Sequence, residues 1–240
     1  MVYMGSKNKL AKELLPIILK DKDKFDYYVE PFVGGMNMID KVIGIKRIGA
    51  DNNKYLIAMW KALQQGWQPP KEITKEFYDD VRNCYKSNCD KYTDAMIGWV
   101  GFNMSYRGKF FGGFRKTTKS KDGKIRNYML EAYNNIMKQL PKILDVELYC
   151  CSYDELVIPE YSIIYCDPPY RDTTGYLSDF DYEKFYNWCI DKQKEGHQVF
   201  ISEYYMPEDK FECIWQKEVK VTLETTNTHN RIEKLFIPKN

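Results

Sequence analysis

The chain is poor in the residues that hold metals. It has two histidines and seven cysteines, an odd number with no Cys-x-x-Cys pair: Cys84 and Cys89 are five apart, and Cys150 and Cys151 are adjacent. These spacings exclude the common zinc frameworks and argue against a disulfide scaffold. The cysteines read as small buried hydrophobes in a reducing cytoplasm. No stretch approaches the ~18 apolar residues of a membrane span. The opening MVYMGSKNKLAKELL is lysine-rich and lacks the apolar segment and cleavage site of a secretory signal. The formal net charge is only +2, which excludes a globally basic packaging protein and confines any nucleic-acid contact to a local patch. A Walker loop, an HExxH helix, a Ser-His-Asp arrangement, low-complexity tracts and internal repeats are also missing, so hydrolase and ATPase readings have no support.

What is present suits an ordinary folded chain. Its 240 residues are 44% hydrophobic and 29% charged, the size of one α/β domain or one domain carrying an inserted lobe. Periodicity predicts a helix over 10–18, a strand over 27–33 ended by Gly34-Gly35, a helix over 36–43, a strand over 47–50 stopped by Asp51-Asn52-Asn53, and a helix over 55–63. Residues 67–145 hold no clear buried strand. Helices are predicted there over 75–87, 92–100 and 126–140, around a loop rich in Gly, Arg, Lys and Phe. The α/β pattern returns with strands over 146–150, 161–166 and 198–202, a helix over 182–194, and a hairpin of 219–224 with 234–237. The expected architecture is a core of 1–66 and 146–240, with a mixed, mostly parallel sheet, interrupted by a mainly helical lobe of 67–145. The five tryptophans read as core, and His197 as a helix-end capping residue.

In open α/β sheets ligands sit at the carboxyl ends of the strands. Three such ends carry chemistry: Glu30-Pro31-Phe32-Val33-Gly34-Gly35, Asp51, and Asp167-Pro168-Pro169-Tyr170. Glu30 and Asp51 are about 20 residues apart, the interval at which an acid after the second strand meets a ribose. The first turn lacks the GxGxxG that lets backbone approach a pyrophosphate. A ribose acid without that fingerprint fits an adenosine ligand without phosphates. The competing reading is a glycine turn after any buried strand, with Asp51 capping the next helix.

The Asp-Pro-Pro-Tyr segment is more specific. Two prolines cannot donate to a sheet, so they end the strand and stiffen the turn. The Asp167 carboxylate and the Asp167 and Pro168 carbonyls offer acceptors, and Tyr170 offers a flat face. Such a set suits an exocyclic amine on a base swung out of a duplex. The lone pair of that amine is delocalised into the ring, and acceptors on both N–H groups favour a pyramidal nitrogen with a localised pair. Stacking on an aromatic face is worth ~1–3 kcal/mol, and extrusion is needed because the amine is otherwise inside the helix. The plain alternative is a proline turn ending a core strand.

Residues 107–126 hold Arg107, Lys109, Arg115, Lys116, Lys119, Lys121, Lys124 and Arg126 against Asp122, a local excess of +7 that leaves the rest of the chain acidic. Such a patch is an electrostatic footprint for phosphates. Tyr106, Phe110, Phe111 and Phe114 are interleaved with it; they either stack on or wedge between bases, or pin the loop to the core. Asn103, Ser105, Arg107 and Arg115 are candidates for reading base edges, and Lys109, Lys116 and Arg126 join them as DNA-contact candidates. Arg171 is a candidate phosphate ligand or a surface ion pair, and His229, Asn230 and Arg231 read as a polar turn.

Taken together, these segments resemble the Dam-type, alpha-group DNA adenine-N6 methyltransferases. Tyr3-Met4-Gly5-Ser6-Lys7 is similar to that family's N-terminal segment, where Trp often stands in place of Tyr3. Val29 to Gly35 is similar to its first-strand motif, which often continues with glycine or serine where this chain has Met36-Asn37. Ala50-Asp51-Asn52-Asn53, Asp167-Pro168-Pro169-Tyr170 and Glu233-Lys234-Leu235-Phe236 resemble its second-strand acid, catalytic motif and last strand. The resemblance implies a Rossmann-like S-adenosylmethionine-dependent core without a metal. It implies cofactor contacts from Tyr3, Lys7, Glu30, Phe32, Gly34, Asp51 and Asp167, with Asp51 on the ribose. It also implies catalysis by Asp167, Pro168, Pro169 and Tyr170 on a flipped adenine of double-stranded DNA. Alternatives are cytosine-N4 or RNA-adenine methylation, or a non-catalytic DNA-binding relative. A cognate restriction endonuclease, a monomer or weak dimer, and a cytoplasmic setting in a bacterial or phage-infected cell complete the expectation.

Overall fold

The computed structural model describes all residues except 116, 120–122, 124, 171–179, 223–227 and 240, and the side chains of all these except 118, 119, 220–222 and 228–230. Its main sheet has seven strands and is mixed and mostly parallel. The strands are β1 (Tyr27–Glu30), β2 (Lys46–Asp51), β5 (Glu147–Cys150), β6 (Ser162–Cys166), β7 (Gln198–Glu203), β8 (Phe211–Thr222) and β9 (Thr228–Pro238), in the order β5-β2-β1-β6-β7-β9-β8. Between them in the chain come β3 (Thr118–Lys119) and β4 (Ile125–Arg126), a separate antiparallel pair. The helices are α1 (Ala11–Ile18), α2 (Lys54–Gln64), α3 (Lys75–Ser87), α4 (Asp94–Gly98), α5 (Tyr128–Gln139) and α6 (Tyr182–Lys194). Among the described residues no helix is long and apolar enough to cross a membrane. The chain divides into two compact units, Met1–Ala11 with Val33–Lys41 and Gly49–Cys151, and Lys12–Phe32 with Val42–Ile48 and Ser152–Asn240.

In the first unit α2 begins where Asn53 accepts the Leu56 N–H at 3.0 Å, a side-chain cap for an orphan donor. It buries Leu56, Ile57, Met59, Trp60 and Leu63, an apolar face at helical spacing. The helix predicted over 36–43 shrinks to a single turn, Ile39–Lys41. Met36 has φ +56°, and Gln139 Nε2 donates to the Gly35 and Met36 carbonyls at 3.0 and 2.9 Å. The left-handed residue and the satisfied carbonyls leave no helix to propagate. The helix predicted over 92–100 becomes α4 followed by a π-type turn, Trp99–Asn103. Gly98 sits where α4 meets α2: a Cβ there would lie 2.1 Å from the Tyr55 carbonyl oxygen.

A second correction concerns the cysteines. Cys84 and Cys89 form a disulfide, with Cα atoms 4.9 Å apart. The left-handed Asn88 (φ +54°) ends α3 and turns the chain back, so the Cys89 N–H reaches the Cys84 carbonyl at 3.0 Å. Cys166 and Cys189 are buried as expected, whereas Cys150 and Cys213 are exposed.

In the second unit β1 runs parallel to β6, and β6 parallel to β7, while β9 runs antiparallel to β7 and β8. Every residue of β6 is buried, as a continuous apolar run between two neighbours requires. α6 covers this part with Phe185, Tyr186 and Cys189, against Ile164, Val199 and Ile201. His197 is buried and its Nδ1 faces the Ser162 N–H at 3.4 Å, so it joins the helix end to β6 as well as capping it. The final hairpin is much longer than predicted. Its outer strand mixes Lys and Glu with apolar residues, which hides the alternation, and the register sets Lys217 opposite Glu233.

Candidate active site

Each unit carries one set of the expected site residues. In the first, the turn after β1 is shaped around Tyr3. Gly34 has φ +47°, and a Cβ on it would lie 2.8 Å from the Tyr3 ring; one on Gly35 would lie 2.7 Å from the Tyr3 Cβ. Glycine is required on both counts. The other side of the turn is fixed by Trp60, whose indole N–H donates to the Gly34 carbonyl at 3.2 Å. Lys7 is buried and its Nζ donates to the Gly5 carbonyl at 3.1 Å.

Asp51 ends β2 and touches this turn. One carboxylate oxygen accepts the Gly34 N–H at 3.1 Å and the other accepts the Asn53 N–H at 2.9 Å. Burial pushes its pKa up to about 6, against the opposing pull of those two N–H groups. A carboxylate has roughly four acceptor positions, so one remains on each oxygen. Two acceptors side by side match the two hydroxyls of a ribose, and the residues present fit an adenosine ligand on that ground.

In the second unit, Asp167-Pro168-Pro169-Tyr170 follows β6 directly. Asp167 and Pro169 are partly exposed, while Pro168 and Tyr170 are buried. The corner is tethered from two directions. The Tyr182 hydroxyl, on the first residue of α6, donates to the Pro169 carbonyl at 3.0 Å. The Tyr170 hydroxyl donates to Glu233 Oε2 on β9 at 3.0 Å. Tyr204, just beyond β7, meets the Tyr170 ring edge-to-face, with centroids 4.5 Å apart and planes at 90°. Burial, then the nearby Asp167 and Glu233 carboxylates, hold the Tyr170 pKa well above the usual phenol value, so the hydroxyl keeps its proton and its donor role. Beneath the corner, Tyr165 shares a hydrogen bond with Ser202 at 2.7 Å.

Two further candidates from the sequence lie in this unit. Glu30 is buried at the end of β1 and accepts the Tyr28 hydroxyl at 2.8 Å. Phe32 lies in an aromatic cluster, 5.5 Å from Tyr153 and 5.7 Å from Phe185 between centroids. Tyr182, Tyr204, Arg231 and Glu233 are the residues that sequence reasoning gave no role in the site. The i, i+2 spacing of Arg231 and Glu233 was the available signal, since it puts both on one face of a strand.

The basic segment sorts its candidates. Arg107 and Lys109 are exposed. Arg115 is half-buried, donating to the Tyr128 carbonyl at 3.2 Å, and burial lowers its pKa from the usual guanidinium value. Arg126 is exposed but forks onto Glu131 at 2.7 and 3.0 Å, an acid just outside the counted stretch. Asn103 and Ser105 are buried, not at a surface open to base edges. The Ser105 hydroxyl shares a hydrogen bond with Tyr78 at 2.9 Å, and Asn103 Nδ2 points at the Met59 sulfur at 3.2 Å. Of the aromatics, Phe110 stacks on Tyr55 and Phe111 on Tyr85, and Phe114 lies 5.4 Å from Tyr78. These three pin the loop to the core, while Tyr106 is 57% exposed. Lys116, Lys121, Asp122, Lys124 and Arg171 lie outside the described residues, as do the side chains of Lys119, His229 and Asn230.

Comparison with known proteins bears on these sites. The family model of the D12 class N6 adenine-specific DNA methyltransferases matches residues 3–214. The Type II methyltransferase M.FokI of Planomicrobium okeanokoites is 22% identical over 200 residues, and the modification methylase StsI of Streptococcus sanguinis is 26% identical over 195 residues. Each alignment covers 74% of this chain and 29% of the relative. The chain thus matches under a third of the length of these curated relatives.

Proposed function

This chain belongs to the D12 class N6 adenine-specific DNA methyltransferase family, and from that premise we propose that it methylates the N6 amino group of a flipped-out adenine in double-stranded DNA. The observation that carries this reading is the Asp-Pro-Pro-Tyr corner, held by Tyr182 and Glu233 at the end of a fully buried strand with Asp167 partly open.

S-adenosylmethionine, when bound, supplies an electrophilic methyl group whose departure leaves a neutral thioether, S-adenosylhomocysteine. The chain therefore needs no acid catalyst, and its residues bind and align. Asp51 accepts the ribose hydroxyls. Tyr3 and Gly34 form the wall beside it, and Lys7, Glu30, Phe32 and Asp167 complete the proposed cofactor contacts. The Asp167 carboxylate and the Pro168 carbonyl accept the two N–H bonds of the amine and localise its lone pair, and Tyr170 holds the base by stacking. The amine so aligned would attack the methyl carbon that bound S-adenosylmethionine supplies, and the proton it then sheds would pass to solvent. In-line positioning of this kind supplies ~7–11 kcal/mol.

We assign target recognition to the lobe of 67–145, with Arg107, Lys109 and Arg115 as phosphate or base contacts and Lys116 and Arg126 as further candidates. Asn103 and Ser105 take part only if they leave their buried places. The names of the two relatives support a modification role; a cognate restriction endonuclease as partner, a cytoplasmic setting and a monomer or weak dimer are part of the same proposal. The test is to incubate the purified chain with methyl-labelled S-adenosylmethionine and genomic DNA, digest the product and identify the labelled nucleoside. Labelled N6-methyladenine is expected. Label only in N4-methylcytosine, only in an RNA substrate, or nowhere overturns the reading.

A further inference from the structure

The reversal of the sheet at β9 places a strand beginning at the edge where its neighbours end. β6 and β7 are parallel, so the Asp167–Tyr170 corner and Tyr204 leave the sheet on one side. β9 is antiparallel to β7, with Lys234 opposite Glu203. Its early residues Arg231 and Glu233 therefore come to that same side, and their spacing puts both on one face. The contacts follow. Glu233 accepts the Tyr170 hydroxyl at 3.0 Å. Tyr204 meets the Tyr170 ring edge-on at 4.5 Å. The Arg231 guanidinium lies 5.1 Å from the centre of the Tyr204 ring, a cation–π contact. The Tyr204 N–H donates to Glu203 Oε1 at 2.7 Å, which fixes that residue in turn.

We propose that Glu233 is a positioning residue for the base platform: by holding the Tyr170 hydroxyl it sets the plane of the ring on which the extruded base stacks, with Tyr204 and Arg231 as the buttress behind it. This rests on the function proposed above. A tyrosine ring has two side-chain torsions. A bond at its far end and an edge contact together stop rotation about both, at the point where the adenine amine must be aimed within a narrow cone. Glu233 touches neither base nor cofactor in this assignment, and its effect on the reaction is assigned to its bond with Tyr170.

The test is a double-mutant cycle on the full chain with saturating S-adenosylmethionine and DNA. Tyr170→Phe keeps the ring and removes only the tethering oxygen. It and Glu233→Ala are each expected to lower kcat about tenfold while moving the KM for DNA by less than about threefold. The double variant is expected to be no slower than the slower single, because both remove one bond. Glu233→Gln, which still accepts a hydrogen bond, is expected to stay within about threefold of wild type. A merely structural role for Glu233 lowers the yield of folded protein but leaves its effect multiplying onto that of Tyr170→Phe. Multiplying losses overturn the assignment, and so does a Tyr170→Phe variant with wild-type kcat, a reading that stands even if Glu233→Ala fails to fold. A wild-type chain that transfers no methyl group overturns the function itself, and the assignment with it; an active wild type with multiplying losses overturns the assignment alone.

Discussion

The Asp51 carboxylate accepts the Gly34 backbone N–H at 3.1 Å, so the acid after the second strand and the glycine turn after the first are joined by one bond. The sequence interval between the two motifs has a physical counterpart: the acid orients the turn while keeping acceptor positions for a ligand. Loss of Asp51 disturbs both.

The raised pKa of Asp51, about 6, gives a pH signature. The ionised carboxylate accepts from two ribose hydroxyls, whereas the neutral acid has lost acceptor capacity. Affinity for S-adenosylmethionine is expected to be constant above pH 6.5 and to weaken below 6, approaching tenfold per pH unit. Asp51→Asn should bind more weakly and lose this dependence. The same shift works the other way on stability. The fold favours the protonated form, so the contribution of Asp51 is present below the ordinary value of 3.8 and is lost as pH rises through about 6. Calorimetric titration and urea unfolding across pH 4–7 measure the two slopes.

Asp167→Ala removes the acceptor for the amine and leaves the tethers on Pro169 and Tyr170 in place. Methyl transfer is expected to fall about a thousandfold or more, with DNA affinity within a few-fold of wild type. Filter binding and a single-turnover assay separate the two. Retained turnover removes Asp167 from its role.

The salt dependence of DNA binding tests the two exposed arginines, Arg107 and Arg126. Arg107→Ala is expected to reduce the dependence of log affinity on log salt by about 0.9 if it neutralises one phosphate. Arg126, already forked onto Glu131, is expected to change the slope less. Binding titrations from 50 to 200 mM salt distinguish them, and an unchanged slope for Arg107→Ala points to base contact or none.

Gly98→Ala places a methyl group 2.1 Å from the Tyr55 carbonyl oxygen, where α2 and α4 meet and neither backbone can yield. A loss of about 3 kcal/mol is expected, measured as a shift of the urea midpoint. A change below about 0.5 kcal/mol shows that the helices part at little cost.

Much of this was legible in the residue order. β6 announces itself as a buried run stopped by two prolines, and α3 and α6 run where their periodicity puts them, over 75–87 and 182–194. The Asp51–Gly34 bond joins residues 17 apart, within reach of a motif reading. What escaped depends on distance or on single torsions. Glu233 meets Tyr170 across 63 residues, and only the antiparallel return of β9 brings it there. The left-handed Met36 cancels a helix that composition favours, and the left-handed Asn88 closes a disulfide that spacing alone does not announce. In the basic segment, residue type left open whether the phenylalanines faced bases or core; Tyr55, Tyr78 and Tyr85, distant in sequence, claim three of them.

The most direct test reads the base modifications in the DNA of a host that lacks N6-methyladenine and expresses this chain. The account expects N6-methyladenine at one short recurring sequence, absent when Asp167→Ala is expressed at the same level. Host DNA without N6-methyladenine, or methylation undiminished by Asp167→Ala, contradicts it.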